Sequence, residues 1–237
     1  MPVTFNVAVA KTNKYASRES GDTVEVVERP GGGLSVVIVD GQGSGEHAKR
    51  LSLLVAGRTV SLLNEGVRDG TAARAAHDFL FAHRGGSVSA ALDILSIDLA
   101  SRSVVVTRNS EIPMLVNRNS HWELFMESGG RIGIHRATRP QILEFPCEPG
   151  TVALVVTDGV LSAGRRFNQQ IELKALVERV VTPDLTPDEL VERILHEAIH
   201  ADRDMPQDDM TVVALRLGPS VQGRAVRRLS VAVPLPG

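Results

Sequence analysis

The stretch Val36-Val37-Ile38-Val39-Asp40-Gly41-Gln42-Gly43-Ser44-Gly45-Glu46-His47-Ala48 decides the reading of the fold. Its β-branched run, within residues 34–39, reads as a short buried strand that ends on an aspartate. The glycines at 41, 43 and 45 mark a turn. From Glu46 the period changes. Ala48, Leu51, Leu54, Val55, Leu62 and Leu63 recur at steps of three and four, which makes one apolar helical stripe.

Outward from this strand–turn–helix unit, residues 3–9 alternate apolar and polar as a half-buried strand does. Residues 71–83 predict a second helix, with Ala72, Ala75, Ala76 and Phe79 on one face. The middle of the chain predicts strands over residues 90–98, 103–108, 113–117, 121–126, 141–145 and 151–157. The breakers Ala100-Ser101-Arg102 and Asn117-Arg118-Asn119 are spaced as in an antiparallel meander. A longer loop, 127–139, holds Gly129, Gly130 and Gly133. Helices follow over 170–181 and 187–201. The second carries a capping-box pattern, with Thr186 as cap, Pro187 at the first helical position and Glu189 three residues on. A strand over 211–217 closes the core. Runs of strands between helix pairs argue for an α+β fold. The expected architecture is a four-layer α-β-β-α sandwich of two antiparallel sheets flanked by helix pairs.

Composition narrows the function. Lysine and arginine number 26 against 28 acidic residues, a net charge of −2, so broad electrostatic binding to nucleic acid is not expected. The single cysteine, Cys147, excludes a disulfide framework. The first residues lack a basic start and a long apolar run, and no apolar stretch approaches the ~20 residues of a membrane helix. The expectation is a cytoplasmic protein with no membrane partner. One domain is expected over residues 1–217, with no separate sensor domain. Residues 218–237 form a basic tail with Arg224, Arg227 and Arg228. Its alternating Leu229, Val231, Val233 and Leu235 could add an edge strand or pair with a second copy as a homodimer, and the other reading is a disordered tail.

Four places put aspartate where a strand meets a loop: Asp22 in Ser20-Gly21-Asp22, Asp40, Asp158 in Thr157-Asp158-Gly159, and Asp208-Asp209 before Met210. An aspartate followed by glycine is ordinarily a turn residue. Four of them at the ends of core strands suggest convergence instead. Converging carboxylates raise one another's pKa unless cations neutralise them. An all-oxygen set suits Mg²⁺ or Mn²⁺ and not Zn²⁺. Two such ions about 3.5–4 Å apart would hold a hydroxide for attack on phosphorus. With glycine beside Asp40 the backbone can come close, so the Gly41 carbonyl is a further candidate ligand.

Taken together, Ser20-Gly21-Asp22, Val39-Asp40-Gly41-Gln42-Gly43-Ser44-Gly45-Glu46, Thr157-Asp158-Gly159-Val160 and Asp208-Asp209-Met210-Thr211-Val212-Val213 resemble the motifs of the metal-dependent PPM (protein phosphatase 2C-like) serine/threonine phosphatases. The likeness is to their bacterial SpoIIE-like branch, and the Gly-rich run into a helix is similar to the small RsbX-type phosphatases of stress signalling. The resemblance covers roughly residues 3–217. It implies a phosphatase acting on phosphoserine or phosphothreonine of a bacterial signalling protein, through a hydroxide between two Mn²⁺ or Mg²⁺ ions. By that pattern Asp40 would bridge the ions, the Gly41 carbonyl would bind one, and Asp158 and Asp208 the other. Asp22 would hold metal-bound waters or bind directly, and Asp209 would support its neighbours. Two departures stand out. Gln42 occupies the place where many members carry a histidine presumed to be the general acid, and glutamine cannot protonate a leaving oxygen. The N-terminal phosphate-binding arginine of some members is not identifiable; Arg18 is one candidate stand-in, and the other reading of it is a solvated loop arginine. Both departures support an alternative: a weak or inactive regulatory binding protein of the same fold.

Three other motifs point to different chemistry. His196-Glu197-Ala198-Ile199-His200 matches a zinc-hydrolase signature, but the apolar stripe through Leu190, Val191, Ile194, Leu195, Ala198 and Ile199 leaves both histidines on the polar side, and no third ligand follows. Gly41-Gln42-Gly43-Ser44-Gly45 lacks the spacing of a dinucleotide loop, and Asp40 would repel a pyrophosphate. Cys147 lacks the arginine six residues on that a cysteine phosphatase needs and reads as a small apolar residue.

Overall fold

The computed structural model describes residues 3–182, 185–219 and 228–232. Two five-stranded sheets pack face to face between two helix layers. One sheet has the order β2 (Asp22–Glu28), β3 (Leu34–Gly41), β4 (Ala90–Asp98), β5 (Ser103–Asn109), β8 (Gln141–Pro146). The other runs β1 (Val3–Thr12), β10 (Met210–Pro219), β9 (Val152–Val156), β6 (Met114–Arg118), β7 (His121–Phe125). Every pairing of these strands is antiparallel. The expected four-layer α+β sandwich is the one observed.

The period-two geometry of a strand assigns the layers. Val36 and Ile38 of β3 face the space between the sheets, where they meet Leu95, Val106, Val155, Val213 and Leu215. Val37 and Val39, one residue out of phase, face outward onto α1 (Gly45–Asn64) and α2 (Asp69–Arg84) through Leu51, Val55, Ala72 and Ala76. Both faces are apolar because both are covered, which is why this strand reads as a continuous run. Burying each such side chain is worth about 1.5–3 kcal/mol. The other sheet carries α3 (Asp158–Ser162), α4 (Leu173–Val180) and α5 (Pro187–Ala201) on its outer face, joined through Leu154, Val156, Leu176, Ile194 and Met210.

The helix at 187–201 begins as its cap predicts: the Thr186 hydroxyl accepts from the Glu189 N–H at 3.2 Å, and the Glu189 carboxylate accepts from the Thr186 N–H at 2.8 Å. The helix expected over 170–181 is shorter, Leu173–Val180, because Glu172 caps it by accepting from the N–H groups of Lys174 and Ala175. The β2 strand and the five-residue α3 were not anticipated. β10 extends to Pro219. Of the tail, Leu229 and Val231 are exposed with no regular secondary structure, and residues 220–227 and 233–237, on which the edge-strand and homodimer readings depend, lie outside the described residues. No described helix is long and apolar enough to cross a membrane.

Candidate active site

Antiparallel neighbours bring the start of one strand beside the end of the next. In one sheet this sets Asp22, first residue of β2, directly across from Asp40 near the end of β3. In the other it sets Asp158, just past β9, beside Asp208 and Asp209, just before β10. The two pairs meet at one end of the sandwich. Asp40, Asp158 and Asp208 line a single cavity of about 470 Å³, together with Lys14, Gln42, Gly43, Ser44, Ser89 and Arg131.

Asp22 takes a different position from its neighbours. It is buried and does not line the cavity. Its Oδ2 accepts from the hydroxyls of Thr157 at 2.9 Å and Thr211 at 2.6 Å. The Thr157 Oγ1 in turn accepts from the Thr211 N–H at 2.9 Å. One carboxylate from the first sheet thereby ties together the two strand ends of the second that carry Asp158 and Asp208. Lys49 and Lys11 both donate to the Asp22 carbonyl oxygen, at 2.7 and 3.0 Å. Asp209 is also buried and turned inward: it accepts from the N–H groups of Lys14 at 2.9 Å and Gly21 at 2.8 Å, so it pins the loop that leads into Asp22.

Glycines make this packing close enough. A Cβ on Gly41 would lie 2.3 Å from the Ala48 carbonyl oxygen, so β3 runs against the first turn of α1 as only glycine permits. A Cβ on Gly159 would lie 2.1 Å from the Asp209 carbonyl oxygen, which brings Asp158 against the Asp208–Asp209 corner in the same way.

The electrostatics follow from burial and crowding. Burial first, then the charge of Asp40, pushes Asp22 up to about 7, against the two threonine hydrogen bonds. Burial and then Asp158 push Asp40 up to about 6, with Arg131 opposing. Asp208 is raised by burial, and also by Asp158 and Asp209. Arg131 supplies a positive counter-charge. Its Nη1 donates to Asp40 Oδ2 at 3.1 Å and lies 4.0 Å from Asp158 Oδ2, and its Nη2 donates to the Asp40 carbonyl at 3.3 Å. Nothing in the local sequence marks this residue, which reaches the site from the long loop. Arg18 is exposed and does not line the cavity, which agrees with the solvated-loop reading and not with the stand-in one. Gln42 is occupied structurally: its Oε1 accepts from the Ser89 N–H at 2.8 Å.

An oxygen-only donor set in which burial and crowding raise Asp40 and Asp208 fits hard divalent cations. Among the described residues no three acidic, histidine or cysteine side chains close into a cage for one ion. Mg²⁺ does not need such a cage, since it keeps several waters and takes one or two carboxylates. His196 and His200 are exposed on α5, stacked on each other at 6.4 Å, and no third ligand joins them among the described residues.

Two antiparallel sheets between helix layers, with aspartate-bearing strand ends gathered at one end, are the PPM, or protein phosphatase 2C-like, fold. The chain belongs to the stage II sporulation protein E (SpoIIE) family, whose family model matches residues 30–218. Over 213 residues it is 24% identical to stage II sporulation protein E of Priestia megaterium, covering 90% of this chain and 36% of the relative. The chain thus spans about a third of that relative's length. Its fold is similar to that of the PP2C phosphatase domain with a fragment of the regulatory domain of SpoIIE from Bacillus subtilis, with a TM-score of 0.80, 21% identity, and 92% of this chain and 64% of that one covered. RsbX in complex with magnesium shares the fold at a TM-score of 0.64 and 16% identity, over 90% of this chain and 96% of that one. The SpoIIE-like branch expected from the motifs is the family found.

Proposed function

We propose that the chain is a metal-dependent phosphatase that removes phosphate from phosphoserine or phosphothreonine of a signalling protein. The observation that carries this reading is the convergence of Asp40, Asp158 and Asp208 on one open cavity, with Asp22 locked behind them. Asp40, the Gly41 carbonyl, Asp158 and Asp208 would hold two Mn²⁺ or Mg²⁺ ions. Such ions, when bound, supply the Lewis acidity that activates a water and neutralises charge on a phosphoryl group. The magnesium of the RsbX structure supports the choice of ion.

The chain's own residues do the positioning. Asp22 holds Thr157 and Thr211, and so fixes the spacing of Asp158 and Asp208 against Asp40. Asp209 holds the loop carrying Lys14 at the cavity rim. Gln42 and Ser89 lock the turn after β3. The cavity opens to solvent, as a protein-borne phosphate requires. A second reading, a non-catalytic binding protein of the same fold, draws on Gln42, which gives no proton and is tied to Ser89.

The test is phosphate release from phosphoserine and phosphothreonine proteins with and without Mn²⁺. The wild type should require the ion. Asp40→Asn and Asp158→Asn should each lose most of the activity while keeping the native circular dichroism. Equal activity in the folded variants ends the proposal, and manganese binding without release favours the second reading.

A further inference from the structure

We propose that Arg131 is the residue that grips the substrate's phosphate, and that its guanidinium, which pairs with Asp40, competes with cations for that carboxylate. This deepens the phosphatase reading above and depends on it.

The backbone around Arg131 is fixed on both sides. Ile132 exchanges hydrogen bonds with Ala90, at 2.9 and 3.1 Å, and Ala90 lies across from Gly41 in the β3–β4 register. On the other side the Asn109 amide donates to the carbonyls of Gly129 and Gly130, at 3.2 and 3.1 Å. A loop arginine is ordinarily solvated and free. This one is delivered beside the end of β3, and its side chain is only 20% exposed.

The guanidinium is also placed for an anion. Its Nε donates to Ser89 Oγ at 3.2 Å, while Nη1 and Nη2 turn to Asp40 in the cavity wall. Here Nη1 meets one carboxylate oxygen and Nη2 the backbone carbonyl of the same residue, and a planar fork that spans two such oxygens also matches two oxygens of a phosphate. Divalent cations on Asp40 and Asp158 would repel the guanidinium from its present partner. The nearest anion able to receive it would then be the phosphate in the same cavity. Only the side chain has to move, because the backbone is held.

The experiment uses Arg131→Gln and Arg131→Lys in the full chain. Calorimetry with MnCl₂ alone comes first, then inorganic phosphate titrated into the manganese-loaded protein, then KM and kcat on a phosphopeptide. Arg131→Gln should bind Mn²⁺ several-fold more tightly, because a competing cation is gone. It should bind phosphate about 10–100-fold more weakly, the loss expected for charge-assisted hydrogen bonds, and raise KM more than it lowers kcat. Arg131→Lys should fall between the two. Phosphate affinity indifferent to Arg131→Gln overturns the inference alone, leaving the phosphatase reading intact. A wild type that binds no manganese overturns both.

Discussion

Replacing Asp22 by asparagine should stabilise the cation-free protein, although it removes a buried, hydrogen-bonded charge. Asp22 has its pKa raised from 3.8 to about 7, chiefly by burial and secondly by Asp40. The shift is about 3 units, and at about 1.4 kcal/mol per unit the ionised carboxylate costs the fold about 4 kcal/mol at pH 8. The sign follows from proton counting. A carboxyl whose folded pKa lies above its unfolded value holds its proton longer in the fold, so stability falls as pH rises from about 4 to about 7. At pH 5 the same group costs only about 1–2 kcal/mol. Both threonine hydroxyls donate to one oxygen, Oδ2, so an amide oxygen in its place keeps both bonds. Urea unfolding of metal-free wild type and Asp22→Asn should therefore show the variant more stable at pH 8, by up to about 4 kcal/mol, with a gap about 2–3 kcal/mol smaller at pH 5. An Asp22→Asn protein less stable than wild type at both pH values would refute the reasoning. It would mean that the carboxylate is valued for its hydrogen bonds and not penalised for its charge.

Gly41→Ala should cost about 3 kcal/mol or more in urea unfolding, since its Cβ would meet helix backbone at 2.3 Å and neither element can yield cheaply; an unchanged midpoint would mean that β3 and α1 do not approach so closely. Arg108→Met should destabilise by about 3–5 kcal/mol, because it strands Asp93, buried beside it at 3.3 Å. The double variant Arg108→Met/Asp93→Leu should recover part of that loss but not all of it, since Arg108 also donates to the carbonyls of Ile112, Phe125 and Glu127. Because protons compete with cations for Asp40, raised to about 6, Mn²⁺ affinity measured by calorimetry should fall steeply below pH 6 and level off above pH 7. A flat profile would remove Asp40 from the ligand set.

Elements with a strong period were legible from the sequence: α1, α5 and its capping box, and the strands of the meander. So were the aspartates, because each sits at a strand end beside glycine or a second aspartate. β2 was missed because it is an edge strand whose exposed Glu25, Val26 and Glu28 break the apolar pattern. That omission hid the Asp22–Asp40 pairing, which depends on register and not on local composition. It also hid the inward turn of Asp22, which depends on two threonines 135 and 189 residues away. Arg131 was missed for a similar reason. Its loop carries turn glycines, and only the Ile132–Ala90 bridge and the Asn109 amide, both contacts between distant parts of the chain, bring it to the carboxylates. The cavity's negative members were signalled by their neighbours, and Arg131 by nothing nearby.

The most direct test of the account is anomalous scattering from manganese in crystals grown with MnCl₂. Peaks should appear in the cavity within coordination distance of Asp40, Asp158 and Asp208, with the Arg131 guanidinium displaced from Asp40. No peak there, or manganese bound only at His196 and His200, would contradict it.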